Sequence, residues 1–323
     1  MKAIIVDSEK NLHWQDTETP EVSSNEVLIK VAATAINRAD LMQRAGFYPP
    51  PPGASTIMGL ECAGEVVALG DSVTNFALGD EVCALLAGGG YAEFAAVDKG
   101  SVVKIPEGIS LIEAASLPEV FATAWLNLFI EAKLSPKEKV ILHAGASGVG
   151  TAGIQLCKAF DNPCFVTVGN EDKLSACLAL GASGGSNRHE GSFLDKGREF
   201  AGDAGVDVIL DPVGGNYLQD NLELLGRNGR LILIGLMGGG VAEINLAHLL
   251  IKRLRLVGST LRARPLSEKA EVMRQLAEHV WPKISAKEIL PIVDTTFAIT
   301  DAEEAHKLVA SDKTIGKVVL RVS

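Results

Sequence analysis

Paired cysteines are missing from this chain. Its five cysteines, Cys62, Cys83, Cys157, Cys164 and Cys177, include no CxxC pair, and free thiols in a reducing cytoplasm account for them best. Also missing is any stretch of roughly 18 or more apolar residues, the length a membrane-spanning helix needs. The opening Met1-Lys2-Ala3-Ile4-Ile5-Val6-Asp7 reads as a short strand, too brief and too soon broken by Asp7 and Glu9 for a secretory signal. A cytoplasmic protein without a membrane partner is expected. Positive charge is scarce: 40 acidic residues against 30 basic ones leave a formal net charge of −10. That balance argues against a nucleic-acid or anionic-membrane surface, which needs clustered Lys and Arg. The one short basic cluster, Lys252-Arg253-Leu254-Arg255, reads as the exposed end of a helix running into a strand.

What is present is an ordinary soluble composition, 47% hydrophobic and 22% charged, over 323 residues, long enough to favour two domains. The first 115 or so residues carry short β-rich runs, Val27–Val31, Glu65–Leu69, Glu81–Leu85 and Tyr91–Val97, separated by turn signals such as Gly70-Asp71 and Gly79-Asp80. Pro49-Pro50-Pro51-Pro52-Gly53 reads as a stiff extended loop. From about residue 120 strands and helices alternate: strand Lys139–His143, helix Gly148–Phe160, strand Phe165–Val168, helix Lys173–Leu180, then strands Val206–Asp211, Arg230–Gly235 and Leu254–Ser259. Near-continuous apolar strands between helices predict an α/β unit with a parallel sheet covered on both faces. The C-terminal residues add a helix at Glu268–Glu278, a strand at Ile289–Val293, a helix at Ala302–Ala310 and a last strand at Gly316–Val322. No internal repeat interrupts this plan.

Between the first strand and helix of the α/β half stands His143-Ala144-Gly145-Ala146-Ser147-Gly148-Val149-Gly150. A turn there is tight, its backbone can approach a pyrophosphate, and the helix N-terminus supplies N–H groups and partial positive charge. Gly145 and Gly150 match the outer positions of G-x-G-x-x-G; Ser147 replaces the middle glycine. The flanking strand and helix make this a dinucleotide signal. A strict NAD site puts Asp or Glu at the end of the second strand, about 20 residues on. Here Val168 runs into Gly169-Asn170, with no carboxylate at the strand end, which leaves room for a 2′-phosphate. Lys173, just inside the next helix, and Arg188, after the third strand, can neutralise that phosphate; alternatively both are solvated surface cations. Glu171 and Asp172, in the first helical turn, are expected to face solvent. NADPH is the expected cofactor.

Asn37-Arg38-Ala39-Asp40-Leu41-Met42-Gln43-Arg44, Gly46-Phe47-Tyr48, Pro50–Ser55, Gly59–Val66, His143–Gly150, Gly235–Gly240 and Ile315–Leu320 together resemble the zeta-crystallin-like quinone oxidoreductases, medium-chain dehydrogenases/reductases without zinc. The similarity runs over essentially the whole chain and is nearest to the tumour-suppressor-inducible quinone oxidoreductase branch. It implies a GroES-like β-rich catalytic domain, residues 1–117 and 261–323, joined to a Rossmann doubly wound parallel-sheet domain, residues 118–260, with the active site in the cleft between them. It implies NADPH as hydride donor and Lys173 at the family's 2′-phosphate lysine. Around the Gly145, Ala146, Ser147, Gly148, Val149, Gly150 turn it brings Gly169, Asn170, Arg188, Gly235, Leu236, Met237, Leu261 and Lys317 to the cofactor. Many relatives carry a tyrosine where Arg188 stands, and arginine's planar fork suits a phosphate. A homodimer built on the Rossmann domain, with tetramers open, is implied too.

Zinc relatives have a His-Glu pair where this chain has Leu60-Glu61, and a first Cys near the place of Asn37; the stretch Ala84–Gly90 holds no cysteine lobe. Zinc needs about three or four N, S or O ligands together, so no metal is expected, and Glu61 reads as a buried structural carboxylate or polar wall. Without a Lewis acid, alcohol oxidation is disfavoured, whereas a quinone or activated enone accepts hydride directly and needs only a donor for its developing oxyanion. Asn37 and Tyr48 are the candidates to orient that oxygen; Tyr48 reads equally well as a packing residue beside the proline run. The Met42 position is often aromatic in relatives, which suggests a more open cleft. His143, at a strand end, reads as a packed, hydrogen-bonded core residue. The reading is an NADPH:quinone oxidoreductase acting on a small-molecule quinone. The alternatives are an enoyl, alkenal or enoyl-thioester reductase on the same fold, or a non-catalytic dinucleotide-binding structural or RNA-binding protein.

Overall fold

The computed structural model describes residues 1–322, and its first strand, β1 (Lys2–Val6), pairs antiparallel with β2 (Leu12–Asp16). Alternation then builds the seven-stranded sheet of the N-terminal unit. In β3 (Glu26–Ala35) Val27, Ile29 and Val31 are buried and the residues between them less so, the period-2 pattern of a strand with one face on a core. It pairs antiparallel with β4 (Glu61–Leu69), which pairs with β5 (Glu81–Leu85), and further along with β6 (Phe94–Asp98). β5 also pairs with β7 (Val102–Lys104). Val66, Val82 and Val97 close over the β3 side chains to complete this core. Register shifts mark bulges between β3 and β4. At Gly64 a Cβ would lie 2.0 Å from the Lys30 carbonyl oxygen, so only glycine lets the strands approach there.

The second unit, Thr123–Thr260, is a six-stranded sheet: β8 (Val140–Leu142), β9 (Cys164–Val168), β10 (Gly184–Asn187), β11 (Val206–Asp211), β12 (Leu225–Leu233) and β13 (Arg255–Gly258). The order is β10-β9-β8-β11-β12-β13, and every pairing is parallel. This is the doubly wound Rossmann arrangement, whose order reverses between β8 and β11. Ile141, Phe165, Ile209 and Leu231 form its core with Phe193 and Leu224. At its start the chain makes a π-helical turn over Leu126–Glu131, with Ala132 N–H reaching the Asn127 carbonyl.

The chain then returns to the first unit, Met1–Ala122 with the stretch from Leu261 onward. A helix spans Leu266–His279, and β14 (Val293–Ala298) and β15 (Lys317–Arg321) extend the β3 sheet. The strand expected at Ile289–Val293 is not formed: the strand begins at Val293, and Ile289 is instead a buried packing residue. Pro291 lacks the N–H a ladder needs. The helix over Ala302–Ala310 places Ala302 and Ala305 against Ile4, Met58, Tyr91 and Leu320. Among the described residues no helix is long and apolar enough to cross a membrane.

Candidate active site

In the second unit the candidate site grows from the carboxyl end of β8. Ala144 takes a left-handed conformation, φ 54°, and Gly145 donates its N–H to the Thr167 carbonyl at 2.9 Å. A Cβ on Gly145 would meet the Val166 side chain at 2.6 Å, and one on Gly150 the Gly145 and Ala144 carbonyl oxygens at 2.4 and 2.5 Å. Both outer glycines are thus required by close packing of turn, helix and strand. The Ser147 hydroxyl accepts the Gly150 N–H at 3.0 Å and so caps the helix Gly148–Ala159. Ala146 is buried just before this cap. Gly148 and Val149 occupy the first helical turn, where N–H groups have no intrahelical acceptor and the dipole is positive. Such a cradle fits a pyrophosphate.

At the end of β9, Gly169 lies under the Arg188 guanidinium, whose nearest nitrogen is 3.6 Å from where a Gly169 Cβ would stand. Arg188 is fixed there through its backbone N–H, which donates to Val168 O at 2.9 Å, while its side chain is exposed. Asn170 spends its side chain on the Lys173 N–H at 2.9 Å, capping the helix Glu171–Leu180. Glu171 and Asp172 are exposed and Lys173 is half-buried. After β12, Gly235, Leu236 and Met237 form a loop tied to the 212–215 turn through Met237 N–H to Pro212 O and Gly238 N–H to Val213 O. Leu236 and Met237 are both more than half exposed. His143 is buried, its ring 3.0 Å from Thr167 Oγ1 and 2.7 Å from Asn221 Oδ1, and burial holds its pKa below the ordinary histidine value. It is a core residue.

In the first unit the polar side chains converge on Glu61. The Lys317 ammonium lies 2.8 Å from Glu61 Oε1 and donates to Ile36 O and Asn37 Oδ1, both at 2.7 Å. Asn37 Nδ2 donates to Glu61 Oε1 at 2.9 Å and to Ala35 O at 3.3 Å. The other carboxylate oxygen, Oε2, accepts the Glu119 N–H at 2.9 Å. Asp40, fully buried, accepts from the backbone of Asn37 at 2.8 Å and of Gly59 at 3.0 Å. Burial nevertheless raises Asp40 to about 6. Tyr91 OH connects Asp40 to His306 Nε2 at 3.0 Å, and burial lowers His306 to about 4.

Tyr48 stands at the edge of this cluster, half-buried. Its ring lies 5.3 Å from the Arg262 guanidinium carbon. Arg262, itself buried, donates to Ala87 O, Tyr48 O and Gln43 Oε1 at 2.7, 3.2 and 2.7 Å. Burial, then the charge of Glu119, raises the Tyr48 phenol. Its hydroxyl bonds to no described residue, so it can donate to a bound oxygen. The two oxygen-orienting candidates therefore differ: Tyr48 keeps its donor available, whereas both amide hydrogens of Asn37 are engaged. Lys317 is the countercharge of Glu61, and Leu261 is buried at the start of the return segment. Arg262, Lys269 and Glu119 carry no local motif. Arg262 meets Gln43 across 219 residues and Glu119 meets Glu61 across 58, which is why sequence patterns pass over them. Among the described residues no three His, Cys, Asp or Glu side chains gather as metal ligands would.

Comparison with known proteins agrees with this construction. Residues 23–107 match the alcohol dehydrogenase GroES-like domain, and residues 148–278 the zinc-binding dehydrogenase family. Rat quinone oxidoreductase is 31% identical over 307 residues, covering 94% of this chain and 92% of that protein. The Escherichia coli quinone oxidoreductase complexed with NADPH superposes with a TM-score of 0.85 at 27% identity, over 99% of both chains. The CurK enoyl reductase superposes with a TM-score of 0.85 at 27% identity, over 100% of this chain and 99% of that one. Two domain matches in this order, a dinucleotide turn in the Rossmann unit and whole-length similarity leave one conclusion: the chain belongs to the quinone oxidoreductase family of the medium-chain dehydrogenases/reductases, a family of dinucleotide-binding oxidoreductases.

Proposed function

We propose that this protein is an NADPH-dependent, zinc-independent quinone oxidoreductase. The observation that carries the cofactor choice is the end of β9, where Gly169 replaces a ribose-binding carboxylate and the Arg188 guanidinium lies over it. Arg188 and Lys173 would hold the 2′-phosphate, the Gly145–Gly150 turn the pyrophosphate, and the 235–237 loop the nicotinamide half. When bound, reduced nicotinamide supplies a hydride. The chain's own part is to orient the acceptor. Tyr48 OH donates to the oxygen that becomes negative, and the Arg262 cation beneath its ring favours that charge. Asn37 and Lys317 act by holding Glu61 in place. Zinc independence is supported by the donor set: Leu60 offers no ligand atom, and both Glu61 oxygens are engaged.

Stopped-flow oxidation of NADPH and of NADH against ortho-quinones, para-quinones and enones tests this reading. Quinone turnover that prefers NADPH is expected; turnover of enones alone would replace it with an enoyl or alkenal reductase. That second reading is favoured by the likeness to the CurK enoyl reductase. A homodimer is proposed on the Rossmann unit. Among the described residues β13 pairs only with β12, and in the helix that leads into it, Leu246–Lys252, Leu246, Leu250 and Ile251 are 66%, 80% and 70% exposed, an apolar strip that a second copy would cover. A cytoplasmic location is supported by five buried cysteines, all free.

A further inference from the structure

Gln43 stands in the last turn of the helix Arg38–Ala45, half-buried, and both ends of its side-chain amide are engaged. Its Oε1 accepts from Arg262 Nη2 at 2.7 Å, and its Nε2 donates to the Thr56 carbonyl at 3.0 Å. A guanidinium only donates and a carbonyl only accepts, so the two contacts demand the same orientation of the amide. The main-chain carbonyl of Gln43 is used as well. It accepts the Gly46 N–H at 2.9 Å, where the helix ends on a left-handed glycine, φ 90°. Tyr48 follows two residues later.

Arg262 reaches Tyr48 from the other side. Its Nη1 donates to the Tyr48 carbonyl at 3.2 Å and its Nε to the Ala87 carbonyl at 2.7 Å, while the guanidinium carbon lies 5.3 Å from the centre of the Tyr48 ring. These three bonds all go to neutral oxygens. Gln43 thus ties together both ends of the segment from Tyr48 to Thr56, the first through Arg262 and the second directly. Between those ends stand Pro49, Pro50, Pro51 and Pro52, which have no N–H with which to brace the loop.

We propose that Gln43 is a positioning residue of quinone reduction: it fixes the Arg262 guanidinium against the Tyr48 ring and closes the proline loop, so that the Tyr48 hydroxyl is aimed at the acceptor oxygen. The assignment deepens the quinone oxidoreductase reading and rests on it. Gln43 acts through Tyr48 rather than on the substrate. Donation from Tyr48 strengthens as negative charge develops on that oxygen, so a loosened ring is felt in kcat more than in KM.

Gln43→Met keeps the length of the side chain and removes both of its bonds. With a para-quinone, kcat and kcat/KM should fall together by roughly 10- to 100-fold, with KM nearly constant. Tyr48→Phe should lose a similar factor, and adding Gln43→Met to it should cost less than about twofold more, because two residues acting through one group are not additive. In cofactor-free protein carrying 3-fluorotyrosine, the 19F signal that Tyr48→Phe removes should move or broaden in Gln43→Met. The signals of Tyr91 and Tyr217 should stay in place and report an intact fold. Gln43→Glu still offers Arg262 an acceptor and should leave the Tyr48 signal close to wild type. An unmoved Tyr48 signal in Gln43→Met, an equal movement in Gln43→Glu, wild-type kcat in Gln43→Met, or losses that multiply with those of Tyr48→Phe would each overturn the positioning role and leave the quinone reading standing. A wild type that turns over no quinone would overturn that reading, and the role with it.

Discussion

Asp40 and Glu119 both lie in the first unit with raised pKa values, and their titration should be visible in its stability. Burial raises Glu119 from 4.5 to about 8 and Asp40 from 3.8 to about 6. Across that window the folded chain holds more protons than the unfolded chain. The stability these groups contribute is therefore complete below their unfolded values and is lost as pH rises through their folded ones. The denaturation midpoint of wild type should drop between about pH 5 and pH 9, and Glu119→Gln should drop less; equal slopes would show that Glu119 does not titrate there. Lys317 offers a sharper residue-scale test. Lys317→Met leaves Glu61 buried without its countercharge and should cost roughly 3–5 kcal/mol by urea denaturation. At the cofactor end, Lys173→Ala and Arg188→Ala should each raise KM for NADPH roughly tenfold or more, as expected for charge-assisted bonds worth about 1.5–3 kcal/mol, and leave NADH almost unchanged. Equal effects on both cofactors would refute a 2′-phosphate role.

Elements form where local chemistry and packing agree. The helix Gly148–Ala159 was legible because the glycine turn precedes it and apolar strands flank it, and the serine cap that the structure adds can be tested. Ser147→Ala removes the acceptor of the Gly150 N–H and should cost about 1 kcal/mol, read as a shift in midpoint with little change in slope. Gly150→Ala should cost more, because its Cβ would stand 2.4 Å from a backbone oxygen that cannot swing aside; a variant as stable as wild type would show that the turn relaxes. The strand misplaced at Ile289–Val293 shows the opposite case. Ile289 and Val293 have the apolar look of a strand, but Ile289 is buried by packing, and pairing begins only at Val293, past Pro291. Strand β4 was half seen for a related reason. Its first half, Glu61–Gly64, lies outside the expected run Glu65–Leu69, and it becomes a strand because β3 and β5 pair with it.

At the scale of the whole molecule, a doubly wound parallel sheet and a mostly antiparallel one divide the chain's work. The parallel sheet ends in an edge strand, β13, reached through a helix that exposes Leu246, Leu250 and Ile251. If that edge joins a second copy, Leu250→Asp together with Ile251→Asp should convert dimers to monomers in sedimentation velocity, while the cofactor turn stays folded. An unchanged sedimentation coefficient would place the oligomer contact elsewhere or exclude it. Family membership was also a whole-molecule property, since the motifs that carry it are spread from Asn37 to Leu320 and no single one suffices.

By itself the sequence determined what depends on near neighbours: the glycine turn with its flanking strand and helix, the absence of a carboxylate after Val168, and the alternation that buries Val27, Ile29 and Val31. These are set by backbone geometry and periodicity within a few residues. Only the tertiary structure decided how the charges pair. Lys317 meets Asn37 across 280 positions and Arg262 meets Gln43 across 219. Asn37 proved to be bound up in holding Glu61, while Tyr48 kept a donor to offer. Desolvation, which loads Glu119 with a proton, comes from elements packed around it and so has no local signature.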